Sequence, residues 1–277
     1  MGHAVNAVYV WSIARAFGGS VVVRIEDHDV GRSRPAYADA ILSDLEWLGL
    51  HGDNDALGLR TPLRQRDDLP PYHDALAALS VRGAVYACRC SRRDIAAHSA
   101  DLLHEELHYP GTCRSANVPW DDTAARRVRL PDDPVRFDDL RHGLQIQQPA
   151  SQCGDVLVRD RLGHWTYQFA VTVDDLRQSI DVVIRGDDLL ASTGRQIVLG
   201  ALLDRPSPIL TLHHPLLRRP DGAKLSKSAG DTGLAELRSA GWTASDVLGR
   251  AAWLGGLQAE PAPRTPLELA ALWTAST

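Results

Sequence analysis

Lysine is almost absent from this chain, and its only two lysines lie three positions apart. Lysine and arginine together number 30, yet only Lys224 and Lys227 are lysine. An ammonium group is a compact point charge on a flexible stem, whereas a guanidinium is a planar fork, so the two cations are not equivalent around phosphate. We interpret the pair as a phosphate-handling site. Two surface lysines adjacent by accident are the alternative.

The segment around these lysines, residues 221–228, has the sequence DGAKLSKS, whose small residues allow a loop to close over phosphates. The chain contains neither the G-x-x-x-x-G-K-[ST] of a P-loop nor the G-x-G-x-x-G of a dinucleotide site. Adenylate formation, in which a carboxylate attacks the α-phosphate of ATP, suits this loop. Catalysis of that reaction depends mostly on positioning and on stabilising phosphate charge.

Two short apolar segments each end in charged residues. Residues 20–29 (SVVVRIEDHD) and 181–188 (DVVIRGDD) pass from β-branched side chains into charge. Ligands of an open α/β sheet lie at the carboxyl ends of its strands, so Glu26 and Arg185 are expected on opposite sides of one crevice. Such a pair suits a zwitterion, with Glu26 for an ammonium and Arg185 for a carboxylate. Alternatively, these groups pair with each other or cap helices.

Three of the four cysteines fall within 26 positions, which indicates a metal site. Cys88, Cys90 and Cys113 satisfy most of a tetrahedral zinc site, and unmetallated thiols are the alternative. The fourth ligand is open on spacing alone, and the histidine candidates are His98, His104 and His108. Cys153 stands apart and is expected in the core.

Apolar periodicity predicts an α/β protein that positions these groups. Helical spacing and turn residues predict the helices at 4–17, 35–48, 72–81, 192–203 and 243–254, the last with Thr243 as its cap. Short β-branched runs predict strands at 20–25 and 181–185, and a further strand is expected within 207–217. The stretch from the cysteines to His142 is irregular, so residues 71–166 are interpreted as a module inserted between two halves of one sheet.

Composition limits the class of protein. The 277 residues are 44% hydrophobic and 23% charged, which suits a globular enzyme of one large domain with an inserted module. No run approaches the roughly 20 apolar residues of a membrane span, and no signal peptide is recognisable, so a cytoplasmic protein without membrane contact is expected. A net charge of −5 argues against nonspecific nucleic-acid binding, although a local arginine patch remains able to contact RNA.

Several of these segments resemble signatures of class I aminoacyl-tRNA synthetases of the glutamyl and glutaminyl branch. KLSKS at 224–228 resembles KMSKS, and Gly2-His3 resembles the second half of HIGH. The remaining matches are Arg24-Ile25-Glu26-Asp27 with Asp29 for R-I-E-D-x-D, Tyr167 with Asp174-Asp175 for Y-x(6)-D-D, and residues 184–189 for I-R-G-x-D-L. The resemblance runs from residue 2 to about residue 255. It implies an α/β fold with a Rossmann-type parallel sheet, an inserted zinc-binding module and a short helical C-terminal tail.

The same resemblance implies roles for individual residues. Glu26, Tyr167 and Arg185 would contact glutamate. Gly2 and His3 would line the ATP site, and His3, Lys224 and Lys227 would act in catalysis, with Lys227 also holding the phosphates. ATP with Mg²⁺ would be the co-substrate.

Length and cysteines indicate the short glutamyl-Q tRNA(Asp) synthetases within the branch. Cys88-x-Cys90 with Tyr109-x(3)-Cys113 resembles their zinc site, so Tyr109 becomes the expected fourth ligand. This family activates L-glutamate without tRNA and transfers it to the queuosine base of tRNA(Asp), and a monomer is expected. The implied division is a catalytic domain at 1–70 and 167–230, the insert at 71–166, and a helical tail at 231–277 without an anticodon-binding domain.

The N-terminus departs from the family pattern. A strand, an A-P-S-P-[ST]-G type turn and the first histidine of HIGH normally precede the helix that here begins beside Met1. We therefore expect a start codon placed upstream in frame, because a sheet without a central strand leaves backbone groups unpaired.

Two other functions stay open on sequence alone. One is a catalytically inactive zinc-stabilised module that binds tRNA or a protein partner through its arginines. The other is a truncated glutamyl-tRNA synthetase that acts on tRNA(Glu).

Overall fold

The computed structural model describes residues 1–28, 33–98, 107–217 and 233–274. The helices are α1 (Gly2–Ala16), α2 (Pro35–Trp47), α3 (Pro70–Val81), α4 (Arg92–His98), α5 (Pro149–Cys153), α6 (Tyr167–Arg177), α7 (Thr193–Leu202), α8 (Leu234–Ser239), α9 (Ala244–Leu254) and α10 (Pro266–Thr274). The strands are β1 (Arg24–Ile25), β2 (Leu63–Arg64), β3 (Val85–Cys88), β4 (Ala125–Val128), β5 (Val135–Asp139), β6 (Gly143–Gln147), β7 (Val156–Arg159), β8 (Val182–Gly186) and β9 (Leu210–His214). None of the helices in these ranges is both long and apolar enough to cross a bilayer.

The strands of the described residues form three sheets. β1 and β2 make a parallel pair, and β3, β4 and β7 make an antiparallel sheet. The third sheet has the order β6-β5-β9-β8, in which β5, β9 and β8 run parallel and β6 is antiparallel to β5. The predicted α/β class with parallel sheet elements is therefore confirmed.

The predicted strand at 20–25 is shorter than expected and belongs to a separate sheet. The Val21 N–H donates to Asp53 Oδ2 at 2.7 Å, and the Val23 N–H donates to Asn54 Oδ1 at 2.8 Å. Because side chains take these backbone donors, only Arg24–Ile25 enters a strand ladder, with β2 as its partner. The prediction that the two halves share one sheet was wrong for the described residues.

The stretch that lacked clear periodicity contains regular structure. It includes α4, β4 and β5. These elements are too short to give a clear periodic pattern of apolar residues in the sequence. The hairpin of β5 and β6 lies within the predicted insert, yet Asp139 of β5 pairs with Thr211 of β9. This hairpin therefore extends the same sheet that carries β8.

The predicted helices are confirmed as α1, α2, α3, α7 and α9, and the predicted strands near 181–185 and within 207–217 as β8 and β9. Gly18, at φ 68°, adopts the left-handed conformation after α1, as expected for a glycine stop. The Thr243 side chain accepts from the Asp246 N–H at the start of α9, so its predicted cap is also confirmed.

α1 is held in place by the C-terminal helices. Tyr9 donates its hydroxyl to Gly255 O at 2.6 Å, and Trp273 Nε1 donates to Ser12 Oγ at 2.7 Å. Val8 of α1 and Leu248 of α9 are completely buried in the shared core. Burial of such a side chain contributes roughly 1.5–3 kcal/mol, so this packing fixes the helix that begins with Gly2 and His3.

Candidate active site

One cleft collects the residues that the sequence singles out at the strand ends and at the head of α1. Its volume is about 1480 Å³, and residues of α1, β1, α6 and β8 line it. The sequence-predicted residues that line it are Gly2, His3, Glu26, Tyr167 and Arg185. The predicted phosphate-site residues Lys224 and Lys227 lie outside the described residues.

Arg185 ends β8 with its guanidinium fixed by protein acceptors. Nη1 donates to Gln196 Oε1 at 2.7 Å, Nη2 donates to Thr193 Oγ1 at 2.8 Å, and Nε donates to His213 Nε2 at 3.0 Å. Burial lowers the pKa of Arg185, while the neighbouring Tyr167 opposes that shift. A guanidinium stays charged in proteins, so Arg185 presents a rigid cation to the cleft.

Tyr167 starts α6 between the positive and the negative side of the cleft. Burial raises the pKa of Tyr167 to about 12, the Glu26 carboxylate adds to the rise, and Arg185 opposes it. The phenol is therefore protonated at neutral pH and able to donate a hydrogen bond.

The acidic side of the cleft is organised by Arg24. Its guanidinium donates to Glu26 Oε1 at 3.0 Å and to Asp175 Oδ1 at 2.9 Å, and its Nε lies 3.6 Å from Asp174 Oδ2. Glu26 and Asp175 line the cleft, whereas the Asp174 side chain is completely buried. One arginine thus fixes two carboxylates that face the cleft, opposite the cationic Arg185.

Two other acidic residues at the strand ends, Asp27 and Asp187, do not line the cleft. Asp27 is 1% exposed and accepts from the Arg66 N–H at 3.1 Å, so it ties β1 to the segment after β2. Asp187 pairs with His142 at 2.7 Å and with Arg141 at 3.2 Å. These two residues therefore follow the alternative in which charged groups at the strand ends pair with other groups of the protein.

Sequence inspection missed the pair Asp139 and His213, which lies directly behind Arg185. His213 Nδ1 and Asp139 Oδ2 are 2.6 Å apart, although the residues are 74 positions apart in the chain. No local spacing links them, since they meet only through the pairing of β5 with β9. The paired histidines at 213 and 214 were the one visible signal.

The cysteine cluster forms a compact group of candidate metal ligands. The sulfur atoms of Cys88, Cys90 and Cys113 all lie within 4.8 Å of one another, with Cys90 Sγ and Cys113 Sγ 3.6 Å apart. Tetrahedral zinc with Zn–S bonds of about 2.3 Å places its sulfurs roughly 3.8 Å apart, so the spacing fits the ion. The donor set of soft thiols also suits zinc.

Tyr109 places its hydroxyl against this cysteine cluster. Its hydroxyl lies 3.5 Å from Cys88 Sγ and accepts from the Cys113 N–H at 2.9 Å. His98 and His108 each place a ring nitrogen on a backbone carbonyl, at 2.7 and 3.2 Å, and His104 lies outside the described residues.

The arginines that could meet RNA phosphates are Arg89, Arg92 and Arg93 beside the cysteines and Arg126, Arg127 and Arg129 further along the chain. Part of this arginine patch is unavailable to RNA. Arg126 and Arg127 are 3% and 6% exposed. Their guanidinium carbons lie 4.1 Å from the ring centre of Trp120 and 3.7 Å from that of Tyr109. Arg92 and Arg93 on α4 are exposed and retain the possibility of phosphate contacts.

Comparison with known proteins decides the family. The profile of the family described as tRNA synthetases class I (E and Q), catalytic domain, matches residues 1–247. The chain is 41% identical to the glutamyl-Q tRNA(Asp) synthetase of Symbiobacterium thermophilum, over 97% of this chain and 86% of that protein. It is 36% identical to the protein of the same name from Nitratidesulfovibrio vulgaris, over 100% of this chain and 89% of that protein.

The chain belongs to the glutamyl-Q tRNA(Asp) synthetase family. Membership of this family makes it an aminoacyl-tRNA synthetase-like ligase, and the resemblance seen in the motifs is confirmed.

Solved structures agree with glutamyl-Q tRNA(Asp) synthetase membership at the level of the fold. The structure titled as a glutamate tRNA ligase from Elizabethkingia meningosepticum in complex with its amino acid superposes with a TM-score of 0.81 at 23% identity. The alignment covers 97% of this chain, and the chain spans 61% of the length of that enzyme.

Proposed function

We propose that this protein activates L-glutamate with ATP, without tRNA, and transfers the glutamyl group to the queuosine base of tRNA(Asp). The observation that carries the proposal is the opposition of Arg185 to Glu26 and Asp175 across one cleft. A dicarboxylic amino acid offers an ammonium and two carboxylates, which need fixed charges of both signs. The names of the relatives supply the amino acid and the acceptor.

The amino acid would lie between the two walls. Glu26, held by Arg24, would accept from the substrate ammonium, and Asp175 would add to the negative potential there. Arg185 would hold a carboxylate with the protonated phenol of Tyr167 beside it. These contacts would leave the other carboxylate directed towards the nucleotide.

ATP would occupy the part of the cleft at the head of α1. Gly2 and His3 begin the first turn of this 15-residue helix, which has no acidic residue in that turn. Backbone N–H groups at a helix N-terminus favour phosphate, and His3 adds a side-chain donor there. Lys224 and Lys227, which lie outside the described residues, would stabilise the phosphates together with Mg²⁺.

The chemical step would be attack of the glutamate α-carboxylate oxygen on the α-phosphorus of ATP. A new P–O bond forms, the bond to the β-phosphate bridging oxygen breaks, and pyrophosphate leaves. The residues of this chain would contribute by positioning the two substrates and by stabilising negative charge. The adenylate would then lose AMP when a queuosine hydroxyl attacks the glutamyl carbonyl.

Zinc would serve the structure of the insert rather than the reaction. Cys88, Cys90, Cys113 and Tyr109 would hold it, and four protein ligands leave no position for a substrate. This ligand set connects β3 with the segment at 109–113.

The test is glutamate-dependent exchange of pyrophosphate into ATP in the absence of tRNA, followed by acylation of tRNA. We expect exchange with glutamate and not with aspartate or glutamine. We also expect glutamyl transfer to tRNA(Asp) that carries queuosine and none to queuosine-free tRNA(Asp). Transfer to tRNA(Glu) instead would assign the chain to the glutamyl-tRNA synthetases. Absence of exchange would favour a binding module.

A further inference from the structure

A buried carboxylate and a buried imidazole stand behind the arginine of the candidate amino-acid site. Both side chains of Asp139 and His213 are 0% exposed, and His213 Nδ1 lies 2.6 Å from Asp139 Oδ2. On its other side His213 Nε2 lies 3.0 Å from Arg185 Nε. The three residues therefore form a continuous chain from the interior of the sheet to the cleft.

The hydrogen-bond chemistry fixes the tautomer of His213. An arginine Nε–H can only donate, so His213 Nε2 must be the acceptor and the proton must reside on Nδ1. Asp139 accepts a hydrogen bond from that Nδ1–H, and its oxygens also accept from the N–H groups of Arg141 and His142 and from the Thr211 hydroxyl, at 3.0 to 3.1 Å. A carboxylate surrounded by donors stays an acceptor, so it holds the imidazole in one tautomer.

Protonation of His213 at Nε2 would leave Arg185 Nε without an acceptor and would place a second cation beside Arg185. Burial lowers the pKa of His213 below its ordinary value, although the Asp139 carboxylate opposes that shift. The imidazole is therefore neutral near pH 7 and able to accept from Arg185.

We propose that Asp139 and His213 are a positioning pair that sets the orientation of the Arg185 guanidinium towards the substrate carboxylate. The inference rests on the proposed function, because it assumes that Arg185 binds the amino acid. Gln196 and Thr193 accept hydrogen bonds from Nη1 and Nη2 of Arg185. The third acceptor, His213 Nε2 on Nε, fixes the plane of the guanidinium. Asp139 acts through His213 and does not touch the substrate itself.

A purely structural role is the competing explanation, since Asp139 also joins β5 to β9. The two roles differ in which kinetic constant changes. Loss of a positioning pair should raise KM for glutamate and leave KM for ATP unchanged, whereas general loosening of the sheet should impair both. The variant Asp139→Asn keeps the size of the side chain and allows its amide to donate to His213 Nδ1, which forces the proton onto Nε2, against Arg185.

The experiment measures glutamate-dependent pyrophosphate exchange in the full chain and its variants. We expect Asp139→Asn to raise KM for glutamate about ten- to hundredfold, with KM for ATP within about twofold, because a buried donor loses its acceptor. The matched control Thr211→Val removes another buried hydrogen bond to the same Asp139 oxygen without changing the tautomer. It should raise KM for glutamate less than about threefold.

A double-mutant cycle tests whether Asp139 works through His213. In His213→Gln the amide oxygen can accept from Arg185 Nε without help from Asp139, so KM for glutamate should rise less than about fivefold. Asp139→Asn added to His213→Gln should then cost no more than about another twofold. Independent, multiplying effects of the two substitutions would overturn the inference, as would equal rises in both KM values.

Nitrogen-15 NMR of the histidine rings provides a readout that does not depend on activity. The His213 signal, assigned by its loss in His213→Gln, should show a protonated Nδ1 in the wild type and a protonated Nε2 in Asp139→Asn. A wild-type Nε2–H tautomer overturns the inference whatever the activity. Wild-type protein with the expected tautomer but no exchange with glutamate would contradict the proposed function instead.

Discussion

At the scale of single residues, adjacent acidic side chains have opposite roles. Glu26 lines the cleft while Asp27 is 1% exposed, and Asp175 lines the cleft while the Asp174 side chain is completely buried. Glu26 and Asp27 both lie beyond the end of β1, where the Asp27 N–H donates to Ile25 O at 3.1 Å. Arg24 holds Glu26, whereas the Arg66 N–H after β2 holds Asp27. A cluster of carboxylates in a sequence therefore contains both substrate-facing and structural members.

Arg185 is the residue whose chemistry is least replaceable in this arrangement. We expect Arg185→Lys to raise KM for glutamate in the exchange assay about ten- to hundredfold, because one ammonium cannot satisfy His213, Gln196 and Thr193 together. Arg82→Lys is the matched control, since Arg82 forms an exposed ion pair with Asp204 at the surface. An unchanged KM in Arg185→Lys would contradict the role of Arg185 in amino-acid binding.

At the scale of elements, the cysteine cluster brings the end of β3 together with the start of α4 and the loop at 109–113. Cys88 ends β3, Cys90 precedes α4, and Cys113 lies in a turn after Tyr109. Their side chains share one small apolar core with Tyr86. A bound ion would therefore fix the loop at 109–113 against β3.

Cys90→Ser should remove zinc from this cluster and lower the melting temperature. Metal analysis of the purified wild type should give about one zinc per chain, and a strong chelator should lower its melting temperature to that of the variant. Cys153→Ser is the control, because Cys153 is a buried thiol outside the cluster that donates to Pro149 O. A zinc-free wild type with the same stability would contradict the metal assignment.

At the scale of the whole molecule, two buried histidines couple folding to pH. Burial lowers the pKa of His213 and of His214 below the ordinary value near 6.5. As pH falls below about 6.5, the unfolded chain takes up protons that the folded chain excludes. The contribution of these histidines to the free energy of unfolding should therefore be complete above that pH. It should decrease as the pH falls towards their lower pKa values in the folded state.

Urea denaturation between about pH 7.5 and 5.5 measures this dependence. His214→Gln should flatten the decrease, because one of the two shifted groups is gone. His51→Gln should leave the slope as in the wild type, since the His51 side chain is 64% exposed. A wild-type stability that stays constant across this range would contradict the prediction.

Local patterns predicted the elements more accurately than the sheets. The helical periodicity around Val8 and Leu45 and the capping pair Thr243 and Asp246 depend on neighbours a few positions apart, and the corresponding helices are present. The strand predicted at 20–25 is longer than β1, because the Asp53 and Asn54 side chains accept hydrogen bonds from the backbone N–H groups of Val21 and Val23. These side chains lie about 30 positions away in the sequence. Propensity contains no information about such partners.

The sequence by itself determined the chemical inventory: the two lysines, the cysteine cluster with Tyr109, and the motif residues Glu26, Tyr167 and Arg185. The lysines, the cysteines, Glu26 and Arg185 follow from residue type and short spacing, whereas Tyr109 and Tyr167 are implied by the resemblance of the surrounding motifs to the family. Only the tertiary structure decided that Asp27 is buried away from the cleft that Glu26 and Arg185 share, and that Asp139 reaches His213 from 74 positions away. The reason is physical, because the pairing of β5 with β9 and the burial it creates are non-local contacts that no window of the chain contains.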